Sequence, residues 1–300
     1  MITEERNPAT ENIDLLGTED MLRLINAEDA KVPVAVAKAI PQMARLVDAA
    51  VNTLRAGGRM VYMGAGTSGR IGVVDSAEWP PTYGVGEECV VALIAGGDGA
   101  LRRAVEGAED DVEAALRDLN SIGFSSRDLL FGLSASGRTP YVLSAVKHAK
   151  SMGAVTAGLS CNPQGLLELV DIPIYVDTGP EVIMGSTRMK AGTAEKMVLN
   201  AVSTSVMVKL GRVYKNYMVD VRPLTKKTRA RALRILMEIT GAGEEAVRSV
   251  LEQAGYSVKL GVVMLKLGLD VDEAQRELQR VNGNLRLLLD KQGETRPQAR

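Results

Sequence analysis

The chain has 300 residues, 46% of them hydrophobic and 24% charged, with 36 basic against 37 acidic side chains. So even a balance gives no net field to gather nucleic acid or an anionic membrane, and any ligand must be captured locally. Two cysteines and a single histidine exclude a disulfide scaffold, a cysteine-rich zinc site and a histidine-based triad, leaving Glu, Asp, Lys and Tyr to move protons.

The opening, Met1-Ile-Thr-Glu-Glu-Arg6, lacks the apolar stretch of a signal peptide, and the apolar runs are too short to span a bilayer, so a cytoplasmic protein is expected. Residues 1–56 read as an N-terminal helical segment, with helical patterning over Thr18–Asp29 and again over Val34–Arg55, where Val36, Ile40, Met43, Val47 and Val51 recur every three or four positions. Five short apolar runs follow, Met60–Met63, Val90–Ala95, Leu129–Leu133, Val155–Leu159 and Ile172–Val176, most of them separated by helix-length stretches. This rhythm predicts a parallel α/β core over residues 57–222, with ligands at the carboxyl ends of the strands. Ser186 to Leu210 reads as a long, methionine-rich helix. Beyond Pro223 the composition shifts to short helices with Gly breaks, predicting a small all-helical domain over residues 223–290. The polar tail, Lys291 to Arg300, is predicted to be disordered.

Chemistry concentrates where the strands end. The first run leaves into Gly64-Ala-Gly-Thr-Ser-Gly-Arg70, whose glycines let backbone N–H groups approach an anion while Thr67 and Ser68 add hydroxyls at a helix start. Gly64-x-Gly66-x-x-Gly69 also fits the dinucleotide fingerprint, but the acidic residue expected about 20 positions on at the end of the second strand is missing, since the segment from Cys89 onward is only beginning its strand. The third run leaves into Ser134-Ala-Ser-Gly-Arg-Thr139, and two hydroxyl loops facing one pocket suit a phosphomonoester. Either loop alone reads as an ordinary helix N-cap; both together, with Gly185-Ser-Thr-Arg-Met-Lys190, argue for a ligand.

The two hydroxyl loops are similar to those of the sugar isomerase (SIS) domain, in which these hydroxyls bind sugar phosphates. Thr3-Glu-Glu-Arg-Asn-Pro-Ala-Thr10, Val105-Glu-Gly-Ala-Glu-Asp110 and Ala135-Ser-Gly-Arg-Thr-Pro-Tyr141 extend the match, and from about residue 3 to 290 the chain resembles the N-acetylmuramic acid 6-phosphate etherase family. The resemblance implies a SIS-type, doubly wound, flavodoxin-like sheet of five parallel strands. It also implies cleavage of a lactyl ether by elimination and then water addition, no metal or redox cofactor, and a homodimer.

Carried over from that family, the catalytic pair is Glu78, in Asp75-Ser-Ala-Glu-Trp-Pro-Pro-Thr82, and Glu109. The substrate-binding set is Gly66, Thr67, Ser68, Ser134, Ser136, Gly137 and Thr139, completed by Glu181, Ser186 and Lys190. Pro80-Pro81 is expected to end the helix behind the first loop, putting Glu78 beside the last carbonyls, which favour a protonated carboxyl and hence the acid role. Glu109 is then the base. Trp79 stands where the family pattern has a small residue. Taken without the resemblance, Glu78 is a solvated helix-end carboxylate, Glu109 one charge in an acidic run, and Lys190 a surface lysine. Two other readings compete: a non-catalytic sugar-phosphate sensor and an aldose–ketose isomerase of the same fold.

Overall fold

The computed structural model describes residues 1–293, with side chains through residue 290. After three short 3₁₀ turns, Ile2–Glu4, Pro8–Thr10 and Ile13–Leu15, come the helices α1 (Thr18–Asp29), α2 (Val32–Lys38) and α3 (Ile40–Arg55). The single helix expected over Val34–Arg55 is divided at Ala39, because Pro41 in the first turn of α3 has no N–H to continue a ladder.

Strands and helices then alternate: β1 (Met60–Gly64), α4 (Gly66–Tyr83), β2 (Val90–Ile94), α5 (Val112–Ser121), β3 (Leu129–Leu133), α6 (Pro140–Ser151), β4 (Val155–Ser160), α7 (Leu166–Leu169), β5 (Ile172–Tyr175) and α8 (Lys190–Lys209). All five strands are parallel, in the order β2-β1-β3-β4-β5. The inner strands β1 and β3 are buried along their whole length, as a sheet covered on both faces requires. Since the order reverses between β1 and β3, this is the point at which a doubly wound sheet leaves a crevice. In the register Gly64 pairs with Leu133, so the two hydroxyl loops leave the sheet side by side.

The C-terminal helices are α9 (Lys226–Thr240), α10 (Glu244–Gln253), α11 (Val258–Leu267), α12 (Val271–Arg280) and α13 (Leu285–Gly293). Side chains of Thr225, Ser257 and Asp270 cap three of them, accepting from Thr228, Leu260 and Glu273 N–H groups. Their shared core includes Leu236, Val247, Leu251, Val262 and Val263, together with Val219 and Val221.

The chain divides into two compact units, residues Met1–Ala77 with Glu87–Ser203, and Glu78–Gly86 with Thr204 onward. The second unit therefore starts earlier than the composition shift at Pro223, because Val219 and Val221 belong to its core. Residues 291–293 of the expected tail are the end of α13, and 294–300 lie outside the described residues. Among the described residues no helix is long and apolar enough to cross a membrane.

Candidate active site

In the first unit the β1 loop is shaped by close backbone approach. Gly66 has φ +53°, and a Cβ on Gly69 would lie 2.8 Å from the Gly64 carbonyl oxygen, so neither position accommodates a side chain without strain. Gly66 lines a cleft of about 150 Å³ shared with Arg70, Ala95, Val105, Glu106 and Glu109. The structure thus brings together two residues expected from sequence, the loop glycine and the carboxylate proposed as base. Glu109 is exposed, on a short 3₁₀ turn over Ala108–Asp110. Arg70 ties loop and cleft wall together: its guanidinium donates to the carbonyls of Leu101 (3.2 Å) and Arg103 (3.2 Å).

The β3 loop is a compact set of hydroxyls. Ser134 Oγ is 2.8 Å from Thr139 Oγ1 and 3.4 Å from Ser136 Oγ, and it accepts from Gly137 N–H at 3.1 Å. Gly137 has φ +71°, and a Cβ there would meet the Gln164 carbonyl oxygen at 2.7 Å, so the turn demands glycine. Asn162 holds the loop from behind, its Nδ2 donating to the Ala135 carbonyl (3.0 Å) and to Thr3 Oγ1 (2.9 Å).

The other expected residues are placed differently. Glu181 is fully buried, and its carboxylate accepts from the N–H groups of Lys190 and Ala191, both at 2.9 Å. It is the cap that starts α8 at Lys190 instead of at Ser186, the start suggested by apolar periodicity. Lys190 is 1% exposed and its ammonium donates to Glu28 at 2.8 Å. Burial works against the Glu28 charge, but hydrogen bonds from Lys190, Lys31 and Asn7 more than offset it and hold that carboxyl at about 2. Glu181 and Lys190 are thus both buried and both engaged by protein partners, Glu181 at the start of α8 and Lys190 on Glu28. Ser186 is half-buried in the turn before α8, its N–H donating to the Ile183 carbonyl.

The helix behind the first loop does not end at Pro80-Pro81. It continues to Tyr83, closing with Gly84 N–H on the Pro80 carbonyl at 3.0 Å, while Arg222 N–H donates to the Pro81 carbonyl at 3.3 Å. Glu78 is accordingly an exposed residue inside α4, more than three turns past Gly66, and is not one of the cleft's lining residues. Trp79 beside it is 1% exposed.

Two residues of this region escaped the sequence reading. Arg70 was visible only as the end of the glycine loop. Glu195 lies on the buried stripe of α8 formed by Ala191, Ala194, Val198, Leu199 and Val202, and an acid within an apolar stripe is itself a signal. It accepts from Ser68 Oγ at 2.7 Å, and burial pushes its carboxyl up to about 7 despite that hydrogen bond. Among the described residues no cluster of three or more His, Cys, Asp or Glu could hold a metal ion.

Residues 42–150 match the family model of the glucokinase regulatory protein N-terminal SIS domain. An N-acetylmuramic acid 6-phosphate etherase of Caldanaerobacter subterraneus subsp. tengcongensis is 52% identical over 284 residues, 94% of this chain and 93% of that relative. One from Serratia proteamaculans is 48% identical over 290 residues, covering 96% and 98%. Among solved structures, a phosphoheptose isomerase from Francisella tularensis superposes with a TM-score of 0.50 at 19% identity, over 64% of this chain and all of that one. A phosphosugar isomerase of Bacteroides fragilis, described as involved in capsule formation, gives a TM-score of 0.51 at 19% identity, covering 67% and 95%. At such identities these two show the fold alone.

Proposed function

This chain belongs to the N-acetylmuramic acid 6-phosphate etherase family, and we propose that it is a carbon–oxygen lyase cleaving the D-lactyl ether of N-acetylmuramic acid 6-phosphate to N-acetylglucosamine 6-phosphate and D-lactate. The observation that carries this reading is 52% identity maintained over 94% of the chain. The paired hydroxyl loops at the β1/β3 crevice support it, being suited to a phosphate monoester.

The chemistry asks little beyond two carboxyls. In the open-chain sugar the aldehyde at C1 acidifies the C2 proton; a carboxylate removes it, and a carboxylic acid protonates the oxygen leaving C3 as lactate. Water then adds to C3 of the resulting double bond, so one water enters for each lactate released. In this reading Gly66, Thr67, Ser68, Ser134, Ser136, Gly137 and Thr139 hold the 6-phosphate, and Glu109 in the cleft is the base. Glu78 is the acid on family resemblance. The reading includes a cytoplasmic homodimer, checked by sedimentation; mixing Glu78→Gln with Glu109→Gln protein tests whether the two carboxyls act from different subunits.

The regulatory-protein model over residues 42–150 favours one second reading, a sensor that binds a sugar phosphate without cleaving it. Turnover in 18O-labelled water separates the two. The etherase releases unlabelled D-lactate and places the label in the sugar, and each glutamine variant stops release while retaining sugar-phosphate binding. A wild type that binds but releases no lactate is the sensor.

A further inference from the structure

Behind the phosphate loop lies an acid with no evident structural task. Glu195 is 1% exposed; one carboxylate oxygen meets Ser68 Oγ at 2.7 Å, and the other, Oε2, is buried with no hydrogen-bond partner. A buried carboxylate with one short hydrogen bond and an unsatisfied oxygen is costly in its charged form, whereas the neutral acid loses little by burial. The cations on its own helix are engaged elsewhere or distant: Lys190 is paired with Glu28, Lys196 donates to Asn200 at the surface, and Lys209 ends the helix, roughly 20 Å along its axis. From the end of β4 comes the Cys161 thiol, pushed up first by burial and then by Glu195, with Glu181 and Asp177 beyond it, so the charges bearing on this corner are negative. The helix that carries Glu195 is packed tightly against the loop: a Cβ on Gly192 would lie 3.3 Å from Thr67 Cγ2.

Ser68 has one proton to donate. If Glu195 is ionised, that proton points into the core; if Glu195 is neutral, the carboxyl O–H can occupy the Ser68 oxygen and leave the serine proton for a ligand. We propose that Glu195 is a positioning residue of the phosphate pocket, whose neutral form donates to Ser68 Oγ and turns the serine proton toward the bound phosphate. Ionised, Glu195 takes that proton and adds a negative charge behind the anion. Phosphate binding therefore draws one proton onto Glu195. The proposal rests on the reading of this loop as the phosphate site.

The test is calorimetric titration of N-acetylglucosamine 6-phosphate into the full chain between pH 7.5 and 9.5, where a phosphate monoester, with its second ionisation near about 6, stays a dianion. Buffers of different ionisation enthalpy report the protons taken up. The wild type should absorb about one proton per ligand, with affinity falling about tenfold per pH unit at the alkaline end. Glu195→Gln, whose amide can donate to Ser68 permanently, should absorb none and show a flat profile. Binding by the wild type without proton uptake overturns the proposal, as does an unchanged slope in Glu195→Gln; if that variant does not fold, the wild-type uptake decides alone. No binding at any pH overturns the phosphate-site reading, and this one with it.

Discussion

Two helices of the first unit begin at polar loops, and they are completed in opposite ways. At α8 the protein supplies its own ligands: the Glu181 carboxylate accepts from the first N–H groups, and the Lys190 ammonium is neutralised by Glu28. At α4 the loop lines an open cleft, with Gly66 exposed and Glu109 on the facing wall. The same element, a helix start that favours negative charge, is thus structural in one place and available to a ligand in the other. Similar strings of Gly, Ser and Thr do not separate the two cases. What separates them is whether a buried carboxylate elsewhere in the chain takes up the first backbone N–H groups, as Glu181 does at α8, or only a side-chain hydroxyl, as Glu195 does at α4.

If that contrast is right, substitutions around α4 should cost activity and those around α8 stability. The largest effect is expected for Glu109→Gln, which should lower lactate release by about 10²–10⁴-fold while changing the stability read from urea unfolding by no more than about 0.5 kcal/mol. Equal loss of both would mean that Glu109 is part of the framework. Lys190→Met should do the reverse, leaving Glu28 buried without its main partner at a cost of about 3–5 kcal/mol in urea unfolding; unchanged stability would break the contrast from the other side.

The fold was legible because each level of the sequence agreed with the next. Apolar runs of strand length, helix-length spacers and glycine at the strand exits fix a doubly wound sheet, and the five strands fall within one residue of the expected runs. The burial of Glu181 and Lys190 has a cause no local pattern reveals: their partners, the start of α8 and Glu28, are brought to them by tertiary packing. The Pro80-Pro81 break failed similarly, since the contacts of Arg222 with the Pro81 and Val85 carbonyls lie far along the chain. Gly66 and Glu109, by contrast, were found together because each lies in a segment whose motif marks it, and the parallel sheet brings their loops to the same edge.

The Lys190–Glu28 pair sharpens the comparison through pH. Glu28 titrates at about 2 in the folded chain, against 4.5 ordinarily, so it contributes stability that is present above about 4.5 and is lost as pH falls toward 2. The amount is about 3 kcal/mol by linkage. Acid unfolding should therefore be steep over that interval in the wild type and shallower in Glu28→Gln, and a matching profile in both would show that Glu28 does not set the acid limit. The smallest effect belongs to Arg70→Ala, which removes the two guanidinium bonds to the cleft wall. It should raise KM roughly three- to tenfold, as the loss of about 1 kcal/mol of positioning implies, with kcat less affected.

The hydrogen bonds around α8 also impose an order in time. Thr3 meets Asn162, Asn7 meets the Pro180 carbonyl, and Thr10 donates to the Val182 carbonyl, 172 positions further on. A ribosome adding about 5–20 residues per second produces Val182 roughly ten to thirty seconds after Thr10. For that interval Asn7 can meet Glu28 but Thr10 lacks its Val182 partner, and the contacts ahead of α8 close only after the sheet has been made. A bulky fusion placed ahead of Thr3 should therefore slow the appearance of activity during synthesis more than it alters the finished protein.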